Sequence, residues 1–131
     1  MMTVLVDHNM EGQAVLLWGT LAAEGWLELV PLQLVTFPEV GLSFESSDRV
    51  VWRFAQSQRL LLLTDNRSMK GTDSLEQTIR EENTSSALPV LTIGSVGRLD
   101  EREYRERCAR RLAEIVLDLE YYLGSGRVFI P

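Results

Sequence analysis

The chain has 131 residues, 45% of them hydrophobic and 24% charged, with a formal net charge of −6. That size and balance fit one globular domain with its own core and exclude a disordered chain. The acidic balance excludes nucleic-acid binding through the surface as a whole, and a single histidine, His8, and a single cysteine, Cys108, argue against serine-protease-like, zinc and disulfide-stapled classes.

Val4-Leu5-Val6 is a short apolar run ending in Asp7-His8-Asn9, and it reads as a buried strand. The chain shows no basic segment followed by a long apolar stretch at its start, and no apolar run approaching the roughly 18 residues of a membrane span. A lone cysteine suits a reducing compartment, so the expectation is a cytoplasmic protein with no membrane partner. Met10, Ala14, Leu17, Leu21 and Ala22 recur at helical spacing, with Asn9 as N-cap and Gly25 as terminator. Strand, tight turn and helix in this order open a βα unit. Trp26 to Phe37 is apolar but interrupted by Pro31, which predicts a broken or edge strand, strongest at Leu32 to Thr36. Pro38 to Glu45 reads as a loop. Ser46-Ser47-Asp48 starts a second helix with Val50, Val51, Phe54 and Ala55 on one face.

Leu60 to Thr64, ending in Asp65, is the clearest strand: four leucines in a row suit burial on both faces. A polar loop follows, Asn66 to Thr72, and Asp73 and Glu76 have capping-box spacing for a third helix running to about Glu82. Asn83 to Leu88 is a polar loop, and Pro89 to Ile93 a strand stopped by Gly94. Tyr104, Cys108, Leu112, Ile115, Val116, Leu119 and Leu123 keep a helical rhythm, with Asp100 as cap and Gly124 as end. Val128-Phe129-Ile130 makes a final strand. Strands alternating with helices at this spacing predict a single domain over residues 1–131, a three-layer αβα fold on a mainly parallel sheet of four or five strands.

Sites in open parallel sheets form outside the carboxyl ends of the strands. Two strands here end in an aspartate, Asp7 and Asp65. Neighbouring carboxylates repel and need a cation or a shared proton. Mg²⁺ and Mn²⁺ take such oxygen ligands. Asp48, early in the second helix, offers a third carboxylate, and Asp73 or Glu76 a fourth. A cluster of this kind holds one or two metals, orients a water and stabilises in-line displacement at phosphorus. Asn9 either orients a carboxylate or caps the first helix. Arg67 and Lys70, in the loop after Asp65, are placed to meet phosphates. Each of these residues also has an ordinary structural role: strand-end turn, helix cap or solvated loop charge.

Leu5-Val6-Asp7-His8-Asn9, then Ser47-Asp48 before a helix, then Leu61-Leu62-Leu63-Thr64-Asp65, resembles the small PIN-like ribonuclease domains over roughly Val4 to Asn66. The resemblance implies metal-dependent cleavage of RNA by Asp7, Asp48 and Asp65, with Mg²⁺ or Mn²⁺ as cofactor. It also implies a homodimer, and a toxin role with an antitoxin partner. Where that family commonly carries a further acid, this chain has Arg67-Ser68-Met69-Lys70.

Two other classes compete. A non-catalytic interaction module on the same fold is suggested by the thin acidic set, by the acidic net charge and by Trp18, Trp26 and Trp52. Phosphoacceptor receiver domains also place aspartates after the first and third strands. They usually have paired acids where this chain has Asp7-His8-Asn9, and a lysine after the fifth strand, whereas the only lysine here is Lys70.

Overall fold

The computed structural model describes all residues from 1 to 131, and one parallel sheet runs through them. Its strands are β1 (Met2–Val6), β2 (Leu32–Val35), β3 (Leu61–Thr64), β4 (Val90–Ile93) and β5 (Arg127–Ile130), in the order β2-β1-β3-β4-β5. The helices are α1 (Glu11–Ala23), α2 (Trp26–Leu29), α3 (Asp48–Ser57), α4 (Leu75–Glu82), α5 (Arg102–Leu117) and α6 (Leu119–Tyr122). The three-layer αβα arrangement expected from the sequence is therefore present. No helix is long and apolar enough to cross a membrane.

Both faces of the sheet are covered, which is why its central strands are continuously apolar. Val4, Val6, Leu61, Leu63, Leu91 and Ile93 pack under α1 and α5 in the larger core. Leu5, Leu62 and Val90 pack under α3 and α4 in the smaller one. Each fully buried leucine contributes about 1.5–3 kcal/mol.

The chain runs from β1 to β2 in one direction along the sheet and from β2 to β3 in the other. Crossovers of one hand then lay α1 and α3 on opposite faces and open a crevice where the direction reverses, between the carboxyl ends of β1 and β3. The last crossover departs from this rule. β4 to β5 runs the same way as β3 to β4, yet α5 joins the face of α1 rather than that of α4. Its hand is opposite to the preceding one, which is rare in parallel sheets.

Local differences from the expected elements have simple causes. Trp26–Leu29 forms one helical turn after Gly25, and the strand begins only beyond Pro31, whose carbonyl accepts from the Met2 amide. The α4 cap is Ser74, not Asp73: the Ser74 hydroxyl accepts from the Gln77 amide at 3.2 Å. Asp7 rather than Asn9 caps the turn before α1, and Asp100 lies in a 3₁₀ turn ahead of α5 without capping it. The long final helix breaks at Asp118 into α5 and α6.

α3 and α4 are clamped by charge. Arg53 grips Glu82 through Nε and Nη2, both at 2.8 Å, and Arg49 reaches Glu81, Glu82, Asp73 and the Thr72 carbonyl. Hydrogen bonds from Arg53, then Arg49, hold the Glu82 carboxyl down from 4.5 to about 2. A carboxylate whose folded pKa lies below its unfolded one adds stability above the unfolded value and loses it as pH falls through the folded value. Glu82→Gln should therefore flatten the acid limb of the stability profile between pH 4.5 and about 2, read by urea unfolding at stepped pH. An unchanged slope in that window would show that the clamp adds nothing.

Candidate functional site

Asp7 follows β1 directly, and its amide donates to the Leu63 carbonyl at 2.9 Å, carrying the β1–β3 ladder one step past Val6. Strand alternation decides what each side of the sheet then presents. On β1, Asp7 continues the Leu5 face. On β3, Thr64 and Asn66 continue the Leu62 face, which looks toward α3 and α4. By the same alternation Asp65 follows Leu61 and Leu63 toward the α1 and α5 side.

A cleft opens at this edge. Asp7, Asp48, Thr64 and Asn66 line it with His8, Asn9 and Ser46, over a floor of Phe37, Val51, Leu62 and Leu75. Its volume is about 70 Å³. A water needs roughly 10–15 Å³ of accessible space, so the cleft takes a hydrated ion or a few waters. No arginine or lysine stands in its walls.

The two carboxylates are held by neutral donors. The Thr64 hydroxyl donates to Asp7 Oδ2 at 2.7 Å, and the Asn9 amide donates to Oδ1 at 3.2 Å. Asp48 Oδ2 accepts from Asn66 Nδ2 at 2.9 Å and from the Leu75 amide at 3.0 Å. Both of those bonds fall on one oxygen, which leaves Oδ1 open to a ligand. Asn66 links the halves, because its own amide donates to the Thr64 hydroxyl at 3.0 Å. The polar path therefore runs Asp7, Thr64, Asn66, Asp48. Asp7 is only 14% exposed, so its charge sits in poorly solvated surroundings.

His8 packs its ring between Phe37 and Phe44, with centroids 5.3 and 5.1 Å away. Its Nδ1 lies 3.4 Å from Asp7 Oδ1 but is not aligned as a hydrogen bond and has no other partner.

The structure brings together two of the expected acids, Asp7 and Asp48, and sets Asp65 outside the cleft. Asp73 meets Arg49 Nε at 2.9 Å, and Glu76 meets Arg127 at 3.3 Å, so both candidate fourth ligands are paired with arginines elsewhere. No group of three or more acidic, histidine or cysteine side chains comes within range of one metal ion. Of the expected substrate-binding residues, Asn9 lines the cleft, while Arg67 and Lys70 are exposed in the following loop. Lys70 borders a shallow polar groove that also touches Asp48. Thr64 and Asn66 were not foreseen as site residues. Their signal was their spacing of two, which puts them on one face of a strand and its extension.

No protein-family model matches the chain, and no curated protein and no solved structure matches it significantly.

Thr64 is 1% exposed, and its hydroxyl both donates to Asp7 and accepts from Asn66. Thr64→Val keeps the shape and removes both bonds. The loss should be about 2 kcal/mol of unfolding free energy, typical of a buried bond to a charged group. Chemical denaturation checks this, and a change under about 0.5 kcal/mol would show that Asp7 needs no donor there.

Proposed function

We propose that this cleft binds Mg²⁺ or Mn²⁺ between Asp7 and Asp48, and that the protein is a metal-dependent ribonuclease of PIN-like type. The observation that carries the reading is two carboxylates in one small cleft whose walls contain no arginine or lysine. Like charges in poorly solvated surroundings repel strongly, and a divalent cation relieves that repulsion.

The donor set fits such an ion. Mg²⁺ is commonly held by only one or two carboxylates, completing its octahedron with water and substrate phosphate oxygens. Asp7 and Asp48 supply the carboxylates, and the cleft has room for water beside them. When bound, such an ion lowers the pKa of a coordinated water and stabilises charge that develops on phosphoryl oxygens.

The chain's own groups have defined tasks in this reading. Thr64 and Asn66 hold the carboxylates in fixed orientation through the bonds described above. Phe37, Val51, Leu62 and Leu75 keep bulk water from the floor. Lys70, along the groove that shares Asp48, meets the phosphate backbone of RNA, and Arg67 extends the same loop. The homodimer and the antitoxin partner rest on the family resemblance alone.

A second reading, a non-catalytic interaction module, has a specific geometric observation in its favour. Asp7 and Asp48 also serve as caps, Asp7 for the turn His8–Met10 and Asp48 for the first amide of α4.

The readings separate by activity. Single-stranded RNA incubated with the protein and Mn²⁺ should be cleaved, and Asp7→Asn and Asp48→Asn should each lower kcat/KM by about 100-fold, the scale of losing a preorganised charge contact. Asp65→Asn should stay within a few-fold of the parent, since Asp65 does not line the cleft. Absence of cleavage with either metal, together with no rise in Tm on adding Mn²⁺, would leave the interaction module in place.

A further inference from the structure

We propose that Arg127, on the far strand of the sheet, is a positioning residue for this site, fixing Asn66 and through it the Asp48 carboxylate. The inference rests on the cation-binding reading of the cleft.

Arg127 opens β5, yet its side chain is only 9% exposed. Val128 and Ile130 enter the α1 and α5 core, so Arg127 falls on the opposite face, the same side as Thr92, Thr64 and α4. A guanidinium out of water is costly unless its donors are met. Here Nη1 donates to the Thr92 hydroxyl and to the Asn66 carbonyl, both at 2.8 Å, while Glu76, the sole acidic partner, is reached by Nη2 only at 3.3 Å. The shorter contacts therefore go to neutral oxygens. A cation buried chiefly to hold a hydroxyl and a loop carbonyl is placed for geometry more than for ion pairing.

The loop carbonyl it holds belongs to the residue that joins the two carboxylates. Every polar group of Asn66 is engaged: its amide on Thr64, its Oδ1 under the Ser68 amide at 2.9 Å, its Nδ2 on Asp48 and its carbonyl under Arg127. Releasing the carbonyl frees the peptide after Asn66 to rotate, and the side-chain amide loses its fixed aim at Asp48. Arg127 is itself anchored. Gly126 has φ +82, which suits glycine, and its carbonyl accepts from the Val90 amide at 2.8 Å. Lysine at 127 would keep the charge but not the planar fork that meets separate acceptors at once.

The test is Mn²⁺ affinity of the full chain by titration calorimetry, for the parent, Arg127→Lys, Asn66→Ala and the double variant. Groups that orient metal ligands typically change affinity about 10–100-fold when altered. Arg127→Lys should weaken Mn²⁺ binding by about 10-fold, and the double variant should bind no more weakly than Asn66→Ala alone, because both act through one residue. Thr92→Val, which removes one acceptor without changing charge, should shift affinity in the same direction and serves if Arg127→Lys does not fold. Parent-like Mn²⁺ affinity in the folded Arg127→Lys or Thr92→Val chain, or purely additive losses, would overturn the positioning role while leaving the metal site intact. A parent protein that binds no Mn²⁺ would overturn both.

Discussion

Two carboxylates confined to one small cleft, held by hydroxyl and amide donors with no arginine or lysine in its walls, are the constraint around which this edge of the fold is organised. Asp7 and Asp48 lie 41 positions apart in the chain, at the end of β1 and the start of α3. What joins them is a row of side-chain and backbone bonds through Thr64 and Asn66. Hydroxyl and amide donors orient a carboxylate without cancelling its charge. The cleft therefore keeps an attraction for a cation that an arginine in the same place would remove.

The acids around α4 follow the opposite pattern. Arg49 and Arg53 gather Asp73, Glu81 and Glu82, and Arg127 takes Glu76. The four acids in and just before α4 have guanidinium partners, and the two within the cleft do not. The sheet order provides the setting, because reversal of the winding between β1 and β3 leaves room at their carboxyl ends for side chains from α3 and the loop after β3. The reversed final crossover puts α5 against α1, which leaves the α3 and α4 face of β5 for Arg127 to cross.

Much of the architecture was legible from residue order alone. Short apolar runs marked all five strands, and their alternation with helical periodicity gave the parallel three-layer arrangement. The strand-end position of Asp7 and the helix-start position of Asp48 were also readable, because each follows from local signals. That Asn66, and not Asp65, faces the cleft was not. A run of four leucines is buried on both faces and carries no mark of which residue faces which side. That phase is set only by pairing with β1, through contacts more than fifty residues apart in the chain. Ser74 displaced Asp73 as the α4 cap for a related reason: Arg49 draws the Asp73 carboxylate away, and an arginine partner 24 residues distant leaves no local trace. Arg127 was hidden in the same way, by a bond to a residue 61 positions earlier.

A crystal structure of the full chain soaked in Mn²⁺, read by anomalous scattering, tests the central claim most directly. One peak is expected between Asp7 and Asp48, at roughly 2.0–2.3 Å from an oxygen of each, as hard divalent ions require. Density beside Asp65 instead, or an empty cleft with both carboxylates still bonded to Thr64 and Asn66, would contradict that claim.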